Sequence, residues 1–288
     1  MRPMLRMVQI IAVRLRRPMV LLAAALLLAA CSALQLGYSQ AHTALYWWID
    51  GYADLNDAQS TRLRQDIDRF MAWHRQNELP AYAQRLAQWR AMAANDLSAE
   101  QVCAQVEAIH GAGLRLVARG HEPLARLAQS LSPAQLQHLE RHQIKGNQGF
   151  AKDFLRGSAE ERMARRLERA LDRYETLYGT LTAAQSEQVR QGLLRSPFDP
   201  TRTLAQRQAR QAELRALIRQ WQTAGTPPEA AAPVLQAWLQ RNLMPSPAAG
   251  DEAAAWIRQG CQTFAALHNS TSAEQRRHAQ DVLQGHEA

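Results

Sequence analysis

The chain has 288 residues, 47% hydrophobic and 21% charged, enough for one large core or two small ones. Its net charge of +8 is concentrated at the start, where Arg2, Arg6, Arg14, Arg16 and Arg17 stand with no acid among them. Without those five, 29 basic residues face 26 acidic ones and no basic block is left, which excludes a nucleic-acid-binding class.

The arginines lead into an apolar segment, Met19 to Ala30. A positive stretch followed by a short apolar one is the form of an export signal. The run is shorter than the roughly 20 apolar residues a spanning helix needs. It closes on Leu28-Ala29-Ala30-Cys31, which resembles the lipobox of bacterial lipoproteins. That resemblance implies a signal peptide over 1–30 and an acylated Cys31 as the first mature residue. Acylation with more than one chain would hold the protein stably at a membrane. It also implies, from Ser32 in place of Asp, the periplasmic face of the outer membrane. Residues 31–40 then read as a lipidated tether.

From Ala41 onward the pattern is helix after helix, with few Val, Ile or Thr runs that would suggest strands. A first helix over Ala41 to Asp50 carries Tyr46, Trp47 and Trp48, and Gly51 is expected to end it. The later helices share a start. Leu55 to Gln59, Leu97 to Gln101, Leu131 to Gln135 and Leu181 to Gln185 each place Asn, Ser or Thr at the N-cap and Gln three residues on. Thr271 to Gln275 is a fifth copy without the leucine, and Ser158 to Glu161 and Thr226 to Glu229 are further versions. This is the capping box, in which cap side chain and N3 side chain each bond the other's backbone amide. Leu97 with Val102 and Leu131 with Leu136 have the spacing of hydrophobic staples.

Between the starts, apolar residues recur at helical spacing. Examples are Leu63, Ile67 and Phe70; Tyr82, Leu86 and Trp89; and Val102, Val106 and Ile109, the last expected to run towards Gly120. Ser196 to Pro200 is a break whose Phe198 should plug into the core, and 244–250 reads as an internal linker. The prediction is all-α: one multi-helix domain over 41–288, made of amphipathic helices opened by repeated capping boxes.

Beyond Cys31 the cysteines are Cys103 and Cys261. In an oxidising compartment two cysteines suggest a disulfide, with two separate buried thiols as the alternative. Neither has a CxxC neighbour, so redox catalysis and a zinc site are not expected.

The densest aromatic and acidic stretch holds Tyr46, Trp47, Trp48, Asp50 and Tyr52. It suits a ligand or client surface, a contact with the membrane–water boundary, or a first helix packing its aromatics inward. His138 and His142 stand four apart, as two ligands of one metal would, but no third ligand is evident and no metal is expected. His74 lies on an apolar stripe and reads as a core histidine. Asp50, Asp54 and Asp57 provide carboxylates for glycan hydrolysis, yet Asp57 sits where an acid suits a helix start.

The Leu-[Ser/Thr]-x-x-Gln pentad resembles the LTxxQ motif of small helical periplasmic stress chaperones. A broader resemblance joins the lipobox, Tyr46 to Tyr52, Trp73-His74, Val102-Cys103, Leu131 to Glu140, Ser196 to Pro200 and Leu267 to Thr271. It is to an uncharacterised lipoprotein family of Gram-negative bacteria. That resemblance implies an envelope location and an all-helical fold, and no catalytic residues. The expectation is a non-enzymatic protein without cofactor, held to the membrane through lipid on Cys31. It would act as a binding or chaperone-like module on an unknown client. The alternatives are an assembly partner of an envelope complex, or a hydrolase of an envelope polymer.

Overall fold

The structure, a computed structural model, describes residues 38, 40–242 and 252–286. Cys31, the export signal and the 244–250 linker lie outside the described residues. Among the described residues eleven helices follow in order: α1 Ala41–Ala53, α2 Asp57–Asn77, α3 Leu79–Met92, α4 Ala99–Ser130, α5 Pro133–Phe154 and α6 Ala159–Tyr178. Then come α7 Ala183–Arg195, α8 Pro200–Ala224, α9 Pro228–Asn242, α10 Glu252–Asn269 and α11 Ala273–Gln284. Among the described residues there is no strand, and the protein is all-α.

Complete capping boxes open α2, α4, α5, α6, α7 and α11, with Asn56, Ser98, Ser132, Ser158, Thr182 and Ser272 at the cap. Each such cap contributes about 1 kcal/mol by answering an amide that the helix itself cannot. The box expected at Thr226 does not form in that register. Ala231 N–H bonds to Pro227 O, so α9 begins one residue later, and the Thr226 carbonyl accepts from Gln129 Nε2 instead.

Two expected helix ends also move. α1 runs through Gly51 and stops at Asp54, whose φ of 51° is left-handed. A short polar side chain tolerates that conformation better than most. α4 runs through both Gly120 and Pro123 to Ser130. Pro123 cannot donate to the preceding turn, but Leu124, Ala125, Leu127 and Ala128 just beyond it pack into the core and hold the helix together. At 32 residues α4 is about 48 Å long.

This long helix is the spine. Its first half lies along α10, and its second half meets α2, α8 and α9. Three apolar clusters form around it. One joins Ala125 of α4 to Leu136 and Leu139 of α5, Ile218 and Trp221 of α8, and Ala231 and Leu235 of α9. A second joins Tyr178 of α6, Val189 of α7, Leu267 of α10 and Ala279 of α11. The third lies between α1 and α2, with Tyr46, Leu63, Ile67 and Met71. Phe198 is only half-buried, packed edge-on to Phe154 and near Trp256, rather than plugged into the core.

Several buried polar side chains lie where helices face one another and find partners across the contact. Asn147 of α5 is met by Arg207 and Gln211 of α8, and Gln143 by Arg215. α7 and α10 approach closely at Gly192, where a Cβ would stand 2.4 Å from Thr263 Cγ2. Any side chain there would force the two helices apart.

Candidate functional site

The capping glutamines do more than cap. Gln59 and Gln135, from α2 and α5, bond each other, with Nε2–Oε1 distances of 3.2 and 2.7 Å. Each also donates to the carbonyl two residues before the other's cap: Gln59 to Ser130 O at 2.8 Å, Gln135 to Asp54 O at 2.7 Å. Gln185 of α7 and Gln275 of α11 repeat the arrangement. They bond each other at 2.9 and 3.0 Å and reach Ser270 O and Thr180 O. The remaining pentad, Leu97 to Gln101, is clasped differently. Asn269 accepts from Leu97 N–H at 2.8 Å and donates to Leu97 O at 3.0 Å.

Beside the second clasp is a cavity of about 340 Å³, at the lower end of the size of small-molecule sites. Trp89 and Met92 of α3 form one wall and Val102, Val106 and Ile109 of α4 another. Leu177 and Tyr178 of α6, Phe264 and His268 of α10, and Ala279 and Leu283 of α11 complete it. These residues lie at helical spacing on each helix and read as core positions in sequence. In the fold the five helices do not close completely over them.

The polar groups of this lining are turned on one another. His268, 1% exposed, places Nε2 2.8 Å from the Asn95 carbonyl, which can only accept, so Nε2 carries the proton. Nδ1 then accepts from the Tyr178 hydroxyl at 2.9 Å. Burial pushes the His268 imidazole below its ordinary pKa and the Tyr178 hydroxyl above its own. On the opposite wall Trp89 Nε1 donates to Gln105 Oε1 at 2.8 Å. These bonds turn the polar atoms of Trp89, Tyr178 and His268 onto protein partners. The cavity therefore offers an occupant apolar contact, and gives water few of the two to four polar partners it requires.

The α3 wall is tied down mainly at its two ends. α3 has no buried residue between its ends. It is held at the first end by Glu78, whose carboxylate takes two 2.8 Å bonds from Arg115 of α4. Those bonds hold the Glu78 pKa below its ordinary value, against the opposing effect of burial. Past its second end, Arg276 of α11 reaches Asp96 at 2.5 Å and Ala94 O at 3.3 Å.

The remaining predicted positions fall elsewhere. Cys31 lies outside the described residues. Cys103 of α4 and Cys261 of α10 are placed at disulfide distance, with Cα atoms 5.5 Å apart, one turn from the cavity walls. The aromatic stretch divides between interior and surface. Tyr46 is buried under Arg64, whose guanidinium carbon is 3.5 Å from the ring centre, and donates to Ser60 Oγ. Tyr52 is half-buried against His142, with ring centres 4.0 Å apart. Asp50 accepts from Leu55 N–H at 2.9 Å and so shapes the α1–α2 turn. Trp47 and Trp48 alone of the group stand mainly in solvent.

His138 bonds Gly51 O at 3.1 Å, so both histidines of the i, i+4 pair serve the α1–α5 contact. His74 is half-buried between Tyr38, Phe70 and Tyr82. His268 and Gln105 were not singled out by sequence reasoning. The one local signal was that His268 lies in the Leu267 to Thr271 stretch noted above.

Among the described residues no helix is long and apolar enough to cross a membrane. No curated protein and no solved structure matches the chain. A family model matches residues 51–228. That span includes Trp89, Gln105 and Tyr178 of the cavity and stops at the first residue of α9, before Phe264 and His268. With well over half of its length matched, the chain belongs to the DUF6279 family of unknown function.

Proposed function

We propose that the protein is a lipid-anchored binding module on the periplasmic face of the outer membrane, holding an apolar ligand or client segment between α3, α4, α6, α10 and α11. The observation that carries this reading is the cavity, a mostly apolar space in which Trp89, Tyr178 and His268 direct their polar atoms at protein partners. Such a site rewards a ligand mainly by apolar area, at roughly 25 cal/mol per Å². The lipobox-like Leu28 to Cys31 supports the anchoring part.

The test is titration of the chain beginning at Ser32 with N-phenyl-1-naphthylamine, an uncharged probe that fluoresces in apolar surroundings. The expected result is saturable binding of about one probe per chain in the micromolar range. Val106→Trp, which fills the cavity, should weaken binding at least about tenfold while leaving the fold intact. Binding equal in the two proteins would refute the assignment. The chaperone-like form of the reading has a separate test. The same chain at stoichiometric excess should suppress aggregation of an unfolded client, and Val106→Trp should lose that effect.

A further inference from the structure

α1 presents two unlike faces. Tyr46 and Ile49 turn inward onto Leu63, Ile67 and Met71. Thr43, Ala44, Trp47, Trp48 and Gly51 are all exposed, and their spacing places them on one opposite stripe. That stripe carries no charge. Trp47 is 60% and Trp48 63% exposed, more than any other large apolar side chain among the described residues. Asp50, the only carboxylate of the helix, is engaged by the α1–α2 turn. Two adjacent tryptophans left in solvent form a patch that calls for a partner.

The chain's path says which partner. Tyr38 is docked on α2, its hydroxyl 3.0 Å from His74 Nδ1 and its ring stacked on that imidazole. Cys31 is seven residues earlier, so its reach from this fixed point is at most about 25 Å. Trp47 and Trp48 lie less than two turns past the first residue of α1, about 10 Å along its axis. Acyl chains on Cys31 would therefore keep this stripe beside a bilayer, where a short tether makes the local concentration of lipid high. Indole, with an apolar body and one N–H, favours the headgroup level.

We propose that Trp47 and Trp48 seat the outer face of α1 in the headgroup region of the membrane that holds Cys31. The contact fixes the orientation of the helices above the bilayer. This inference rests on the anchoring reading, and its test keeps the two apart.

The acylated full chain is reconstituted in phosphatidylethanolamine–phosphatidylglycerol vesicles containing bromine-labelled acyl chains, and its tryptophan fluorescence is measured. The expected result is quenching of the native protein that falls by more than half in Trp47→Ser/Trp48→Ser. Equal quenching in both would overturn the proposal. The mass of the N-terminal peptide reports acylation of Cys31 independently. If Cys31 is unmodified the anchoring reading fails, and partition of the chain beginning at Ser32 onto the same vesicles decides the docking. A fall on the order of tenfold in the double variant supports it, and no change overturns it. Ala44→Asp places a charge on the same stripe without removing an aromatic, and should lower partition in the same direction. A concentration-dependent dimer abolished by Trp47→Ser/Trp48→Ser would give the face to a second copy and overturn the membrane assignment.

Discussion

The two glutamine clasps share one geometry and differ in their surroundings. Gln59 and Gln135 are both buried, and the apolar cluster beside them is closed by Leu131, Leu136, Trp221 and Leu235. Gln185 is buried but Gln275 is half-exposed, and the open cavity lies next to that pair. The leucine that precedes the cap in Leu55, Leu131 and Leu181 is Thr271 in the last copy, and its hydroxyl bonds the His268 carbonyl instead of filling space. The same device thus joins a region whose apolar core is packed, with a more polar cleft of about 200 Å³ at Gln59, Asp66 and Arg126, and one whose apolar core is hollow. What the hollow one lacks in packing it gains from polar ties, Asn269 to Leu97 and Arg276 to Asp96, and from Cys103 beside Cys261.

That contrast predicts where stability is most easily lost. A disulfide between Cys103 and Cys261 would join residues 158 apart, and its loss from a domain of this kind costs about 2–5 kcal/mol. Cys103→Ser/Cys261→Ser should therefore lower the denaturant midpoint strongly. Hydrogen exchange should show the loss in α6, α7, α10 and α11, with α5, α8 and α9 holding their protection. Thiol labelling of the denatured, unreduced native chain should find neither cysteine free. Labelling of both would remove the covalent half of the contrast.

The clasps themselves should differ next. Gln135→Leu removes the partner of Asp54 O and of the Ser132 N–H and both bonds between the two buried glutamines, a cost of about 1–3 kcal/mol although Gln59 keeps Asn56 and Ser130. Gln275→Leu removes the matching bonds where water can replace them, and should cost less than about 1 kcal/mol. A double-mutant cycle on Gln59 and Gln135 should show coupling of about 0.5–3 kcal/mol, and one on Gln185 and Gln275 a smaller value. Equal losses at Gln135 and Gln275 would mean that burial does not distinguish the pairs.

Much of this could be read from the chain, for identifiable reasons. A capping box is local: Ser132 and Gln135 are three residues apart and meet in any helix that starts there. The all-α class, six helix starts and the core stripes follow from such local rules. Pairing of one box with another is not local, since nothing in Leu55 to Gln59 names Leu131 to Gln135 as its partner 76 residues on. Gly120 and Pro123 resemble a helix end, but contacts of Leu124 and Leu127 with distant helices override them. Trp47 and Tyr46 are neighbours in sequence and turn opposite ways, which composition does not reveal. The cavity is the least legible feature, because its walls run from Trp89 to Leu283 and each wall alone looks like ordinary core.

The smallest expected difference between the two halves is in their response to acid. His268 is held neutral between Tyr178 and Asn95 O. Burial lowers its pKa from the ordinary 6.5; the Asn95 bond and Asp96 oppose that, and Arg276 reinforces it. In the unfolded chain the same imidazole takes up a proton first as pH falls. The stability it contributes is therefore complete above about 6.5 and is lost as pH falls from there through the lower folded value. His74, beside the α1–α2 cluster, is also lowered by burial, but it is less enclosed and Glu78 opposes the shift. Acidification from pH 7.5 to 5 should thus loosen the hollow half before the filled one. The melting temperature should fall over that range in the native protein and fall less in His268→Gln, which keeps polar atoms at the site without a titrating ring. An equal fall in both would place the acid sensitivity outside His268, and with it the argument that the histidine is a neutral strut of the cavity wall.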